Sequence, residues 1–136
     1  MTEKLNTLEA AFNESLKAAL NNIDSERINE ILELRDSSEF SDLWMKAYQI
    51  IDEKITDAET EDQVSNIRKE IFISTFRMTG SSDLPAYISD DFGLISAYYI
   101  HHIENTWVTN LFFTYLNHQI PQGKLMKTDK MLEELI

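Results

Sequence analysis

The stretch Asp83–Pro121, DLPAYISDDFGLISAYYIHHIENTWVTNLFFTYLNHQIP, decides the fold. No Lys or Arg occurs between Arg77 and Lys124. That interval holds Tyr87, Phe92, Tyr98, Tyr99, Trp107, Phe112, Phe113 and Tyr115, and all three histidines, His101, His102 and His118. Its apolar residues recur at spacings of three and four, the period of a helix. A helix from about Asp90 to Ile103 carries Phe92, Ile95, Tyr99 and Ile103 on one side and Leu94, Tyr98 and His101 on another. A helix that is apolar nearly all round is a buried one. A second charge-free helix follows, from about Trp107 to Asn117. The pair, 90–103 and 107–117, is expected to form the centre of the fold. Leu84–Ile88 reads as a separate short turn of helix. Ser89-Asp90-Asp91 then reads as a restart, because two carboxylates suit the positive end of a helix dipole. Gly93, inside that helix, costs up to about 1 kcal/mol relative to Ala, so a close helix crossing is expected there.

Working outward, three glycines and two prolines are too few for the turns of an all-β fold. The expectation is an all-α chain, residues 1–136 forming a single domain of six or seven helices. The first helix, Thr2 to about Asn21, has one stripe: Leu5, Leu8, Phe12, Leu16 and Leu20. Asn21-Asn22 stops it, since Asn tolerates the left-handed conformation. A short second helix, Ser25 to Arg35, takes Asp24 or Ser25 as its cap. The third begins near Ser38 or Ser41, runs to about Ile55, and buries Phe40, Leu43, Trp44, Ala47, Ile51 and Ile55. In the fourth, Thr60-Glu61-Asp62-Gln63 fits a capping box with Thr60 as the cap, and Gly80 is the terminator. Asn105 or Thr106 caps the sixth. Pro121-Gln122-Gly123 ends the ordered core, and Thr128–Ile136 reads as a short amphipathic helix.

Composition removes several classes of function. Without cysteine there is no disulfide, thiolate metal site or cysteine nucleophile. No apolar run is long enough to span a membrane, and the N-terminus lacks the pattern of a signal peptide, so a cytoplasmic protein is expected. A net charge of −12 opposes direct binding to nucleic acid or an anionic membrane, and favours fast encounter with a basic protein. There is no glycine-rich phosphate loop, no Gly-x-Ser-x-Gly elbow and no calcium-loop spacing. Neither a catalytic residue nor a cofactor is expected.

The negative charge is concentrated. Asp24 to Asp62 contains thirteen acids against Arg27, Arg35, Lys46 and Lys54, a net −9 of the total −12. Glu26, Glu30 and Glu33 share one helical face, where like charges repel by a few tenths of a kcal/mol per pair. The candidate partner-binding acids are Glu26, Glu30, Glu33, Asp36, Asp52, Glu53, Asp57, Glu59, Glu61 and Asp62. Tyr98, Tyr99 and Trp107 are the candidate aromatic contacts, because such side chains anchor interfaces. Adjacent residues diverge on a helix, so one of Tyr98 and Tyr99 is expected to reach a groove or the surface.

In size, charge and helicity the chain is similar to bacterial toxin-immunity proteins and other acidic inhibitors, a likeness of type with no motif matched residue by residue. The likeness implies a basic partner such as a nuclease, whose phosphate-binding groove accepts carboxylates. Two alternatives stand beside it. His101, Glu104 and His118 would supply a metal- or small-molecule-binding enzyme. Met131, Leu132, Leu135 and Ile136 would make a self-associating structural module.

Overall fold

The computed structural model describes residues 2–136. Six α-helices follow one another among these residues: α1 (Thr2–Leu20), α2 (Ser25–Asp36), α3 (Ser38–Asp52), α4 (Ala58–Thr79), α5 (Asp83–Ile100) and α6 (Thr106–Leu116). A 3₁₀ turn closes the chain at Leu132–Leu135, and there is no strand among the described residues. The all-α single domain is as expected.

The helices start and stop for reasons visible in sequence. The Asp24 carboxylate accepts from Arg27 N at 2.8 Å and caps α2. Asn105 does the same for α6, accepting from Val108 N at 3.0 Å. Asn22 (φ 60°) and Gly80 (φ 71°) take the left-handed turns that end α1 and α4. The cap of α4 is corrected, however. Asp57 occupies that position and accepts from Thr60 N and Thr60 Oγ1 at 2.8 and 2.9 Å. Thr60 lies inside the helix and is buried. A carboxylate is the better acceptor for the free N–H groups, and it sits where the helix dipole favours negative charge.

α5 is the hub. It packs against α1, α2, α3, α4 and α6. It is one unbroken helix from Asp83, not a short turn followed by a restart at Ser89. Pro85 falls in its first turn, where the missing N–H costs nothing. Asp90 and Asp91 are therefore interior to the helix and cap nothing. Near Gly93 the close neighbour is the Arg68 side chain of α4 and not a second backbone: a Cβ there would lie 3.2 Å from Arg68 Cδ and Nε.

Both Tyr98 and Tyr99 are buried, at 1% and 6% exposure, which corrects the expectation that one reaches a surface. Neighbouring elements cover both flanks that carry them, and the open side of α5 is the one bearing Gly93, Ala97 and Ile100. Tyr98 satisfies its hydroxyl by donating to Ala47 O at 2.7 Å.

Around α5, α1 lies on α6 and α4. Its stripe of Leu5, Leu8, Phe12, Leu16 and Leu20 is wholly buried. Each such side chain contributes about 1.5–3 kcal/mol, far more than helix propensity does. Phe12 meets Phe92 edge-on at 5.3 Å and Tyr115 at 4.6 Å, joining α1, α5 and α6.

The chain after α6 does not leave the core. Ile120, Pro121 and Leu132 are buried. Met126 N and Thr128 N donate to Thr114 Oγ1 and Asn110 Oδ1 of α6. The expected tail helix is reduced to the 3₁₀ turn. Leu132, Leu135 and Ile136, assigned above to self-association, pack on the chain's own core, and only Met131 stays half exposed.

Candidate functional site

α3 and α4 both lean on α5 but barely touch one another, and a cleft runs along α3, between α3 and α4 over most of its length and between α3, α2 and α5 at one end. It comprises three adjoining hollows of about 300, 410 and 430 Å³. Trp44, Met45 and Asp90 are shared by the first two, and Tyr48, Ile51, Val64, Arg68 and Gly93 by the last two. The α3 wall is aromatic: Trp44 and Tyr48, one turn apart, stack at 5.7 Å and 16°. Gly93 forms part of the floor and leaves room for the Arg68 side chain. Arg68 donates from Nε to Ser89 O at 3.1 Å and pairs through Nη2 with Asp90.

The wall is fixed from below by a buried charge centre. Arg35 of α2 donates from Nη1 and Nη2 to the two oxygens of Asp91 at 2.7 and 2.8 Å. Arg35 is 4% exposed and Asp91 0%. Trp44 Nε1 donates to Asp91 Oδ1 at 2.9 Å, and the Tyr115 hydroxyl to Oδ2 at 2.6 Å. The Arg35 guanidinium also lies over the rings of Phe40 (4.5 Å) and Tyr87 (5.2 Å) and donates to Pro121 O. One carboxylate thus ties α2, α3, α5 and α6 together. Burial disfavours the Arg35 charge, but the Asp91 carboxylate more than reverses this and holds the guanidinium protonated. Burial and then Asp91 push the Tyr115 hydroxyl well up, so it remains a donor.

At the cleft itself, desolvation raises the Asp90 carboxyl, and Arg68 opposes the shift. The Asp52 carboxylate raises the Tyr48 hydroxyl. Tyr87 is raised by its hydrogen bond to Asp36.

All ten candidate acids are exposed. The cleft brings four of them to its lining: Asp36, Asp52, Glu61 and Asp62. Glu26, Glu30 and Glu33 stand on α2 outside it, with Glu30 bridged to Arg27 at 3.0 Å. Glu53 and Glu59 flank the α3–α4 connection, and Asp57 is occupied with capping. Tyr98 and Tyr99 are interior and offer a partner nothing in this conformation. Trp107 is half-buried, edge-on to Phe40 at 5.3 Å.

The aromatic wall is what sequence reasoning missed. Trp44 is only half-buried, while Leu43, Met45, Tyr48 and Ile50 are 38–50% exposed. Leu43 and Ile55, expected in the core, lie at 40% and 93%. The signal was present: α3 has more apolar residues than one inward stripe can use.

The histidines lie apart in their roles. His101 Nε2 is 3.0 Å from Thr56 Oγ1 at one end of the cleft. His102 (φ 54°) pairs with Glu133 at 2.7 Å and holds the tail. His118 (φ 61°) is exposed just beyond α6. Among the described residues no three His, Asp or Glu side chains are grouped to hold a metal ion. No helix is long and apolar enough to cross a membrane.

The described residues thus form an all-helical domain with an open, acid-rimmed aromatic cleft. Residues 5–122, which reach into all six helices, match the model of the family described as Immunity protein PIM1. The chain belongs to that family, and an immunity family implies a protein partner such as a toxin. No curated protein matches it.

Proposed function

We propose that this immunity protein neutralises a basic toxin by binding alone, with no chemistry of its own, and that the α3–α4 cleft receives it. The carrying observation is the company kept by three carboxylates. Asp52, Glu61 and Asp62 line the cleft beside the Trp44–Tyr48 stack and have no cation within 4 Å among the described residues. Exposed, unpaired acids beside a preformed aromatic wall supply charge for encounter and area for close contact. Glu26, Glu30, Glu33, Glu53, Asp57 and Glu59 add to the long-range field, which steers a cationic partner inward. A nuclease fits this reading, because a groove that holds phosphate also accepts carboxylates. The protein would act in the cytoplasm, shielding the cell from the toxin.

The test is association of the protein with its toxin as a function of salt. Association should slow steeply as salt rises, and Asp52→Asn/Glu61→Gln/Asp62→Asn should slow it roughly tenfold or more at low salt. Tight binding indifferent to both would reject the reading.

A further inference from the structure

The two ends of the cleft differ in chemistry. At the α2 end the walls are Phe40, Trp44, Met45 and Tyr87. Two carboxylates there are matched, Asp91 by Arg35 and Asp90 by Arg68, while Asp36 accepts from the Tyr87 hydroxyl and keeps its charge. A cation placed here meets one free carboxylate, at the rim, whereas an apolar side chain covers aromatic surface. At the far end stand Asp52, Glu61 and Asp62, and against them Lys54 and His101 beside the already paired Arg68. Three carboxylates outnumber the one unpaired lysine, so a cation placed there meets net negative charge.

Trp44 and Asp52 are eight residues apart on one helix, which is about 12 Å along its axis. Both walls and the floor are helices whose backbone groups are bonded internally, so an extended strand would find no main-chain partner. A helix arrives with its own backbone satisfied. We infer, on the footing of the function proposed above, that the cleft seats an amphipathic helix of the toxin, with an apolar anchor on the Trp44 wall and a lysine or arginine two turns away beside Asp52, Glu61 and Asp62. Two turns, seven residues, match that separation at about 10.5 Å. The recognition element is thus a spacing, in addition to a charge.

Trp44 reports on this directly once the second tryptophan is removed by Trp107→Phe. The probes are stapled helical peptides of one composition, with Leu and Lys seven residues apart in one and adjacent in the other. The seven-residue spacing should shift Trp44 emission saturably, and adjacency should weaken binding about tenfold, the size of one lost charge contact. Lys→Gln in the peptide should cost about as much against the parent protein. It should cost nothing against Asp52→Asn/Glu61→Gln/Asp62→Asn, where Leu→Ala still weakens binding. Equal binding of both spacings, or a Lys→Gln loss that survives in the triple variant, overturns the inference. So does an absence of peptide binding. If the toxin itself remains sensitive to the triple variant in those cases, the proposed function stands without it. If the toxin is indifferent as well, both fall.

Discussion

Arg35 and Asp91, 56 residues apart in sequence, meet in a two-pronged ion pair at 2.7 and 2.8 Å that is closed to solvent. Removing one partner leaves the other charged and buried, which costs about 3–5 kcal/mol. Asp91→Ala and Arg35→Met should each lower the urea midpoint accordingly. The double variant Arg35→Met/Asp91→Leu should lose much less than the sum, because neither orphan charge remains.

The Asp57 cap makes a pH prediction. Hydrogen bonds from Thr60 N and Thr60 Oγ1 hold the Asp57 carboxyl below its ordinary value. A carboxyl depressed in the folded state contributes stability above its unfolded pKa, and that contribution is lost as pH falls through the folded value. Asp57→Ala should therefore lower the melting temperature at neutral pH. The gap to the parent protein should narrow as pH falls below the ordinary carboxylate range. Thr60→Ala removes one of the two donors and should produce a smaller effect of the same sign.

Gly93 is held small by the Arg68 side chain, not by a backbone. Gly93→Ala gains helix propensity of up to about 1 kcal/mol and displaces a flexible side chain by a few tenths of an ångström, so unfolding should change by less than that. Gly93→Leu should instead push Arg68 off Asp90 and fill the cleft. Its circular dichroism should stay helical while toxin binding is lost.

The tail yields a prediction of opposite sign to a self-association model. Leu132 is 2% exposed. Leu132→Ala should cost about 2–5 kcal/mol in urea unfolding. Deleting residues 131–136 should uncover core surface and increase light scattering, where loss of a dimer contact would reduce it.

Local physics carried most of the helix pattern. The stripe of α1, the caps Asp24 and Asn105, and the left-handed stops Asn22 and Gly80 each depend on residues within one turn. What sequence could not display was pairing at a distance. Asp90 and Asp91 look like a helix start because acids concentrate in first turns; only the positions of Arg68 and Arg35 turn them into ion-pair partners. Tyr98 and Tyr99 look divergent until neighbours cover both of their flanks of α5. The candidate acids were legible as exposed, but the cleft was not. Trp44 has the spacing of a core residue, and its part-exposure follows from α3 standing away from α4.

The pairing of α1 with α6 has a consequence for biosynthesis. The first helix waits for one roughly a hundred residues later, a delay on the order of 5–20 s at ribosomal speeds of about 5–20 residues per second. Until then Leu5, Leu8, Phe12 and Leu16 lack a principal neighbour on the emerging chain. The core therefore closes late in each round of translation, and a chain interrupted before α6 leaves that stripe without its cover.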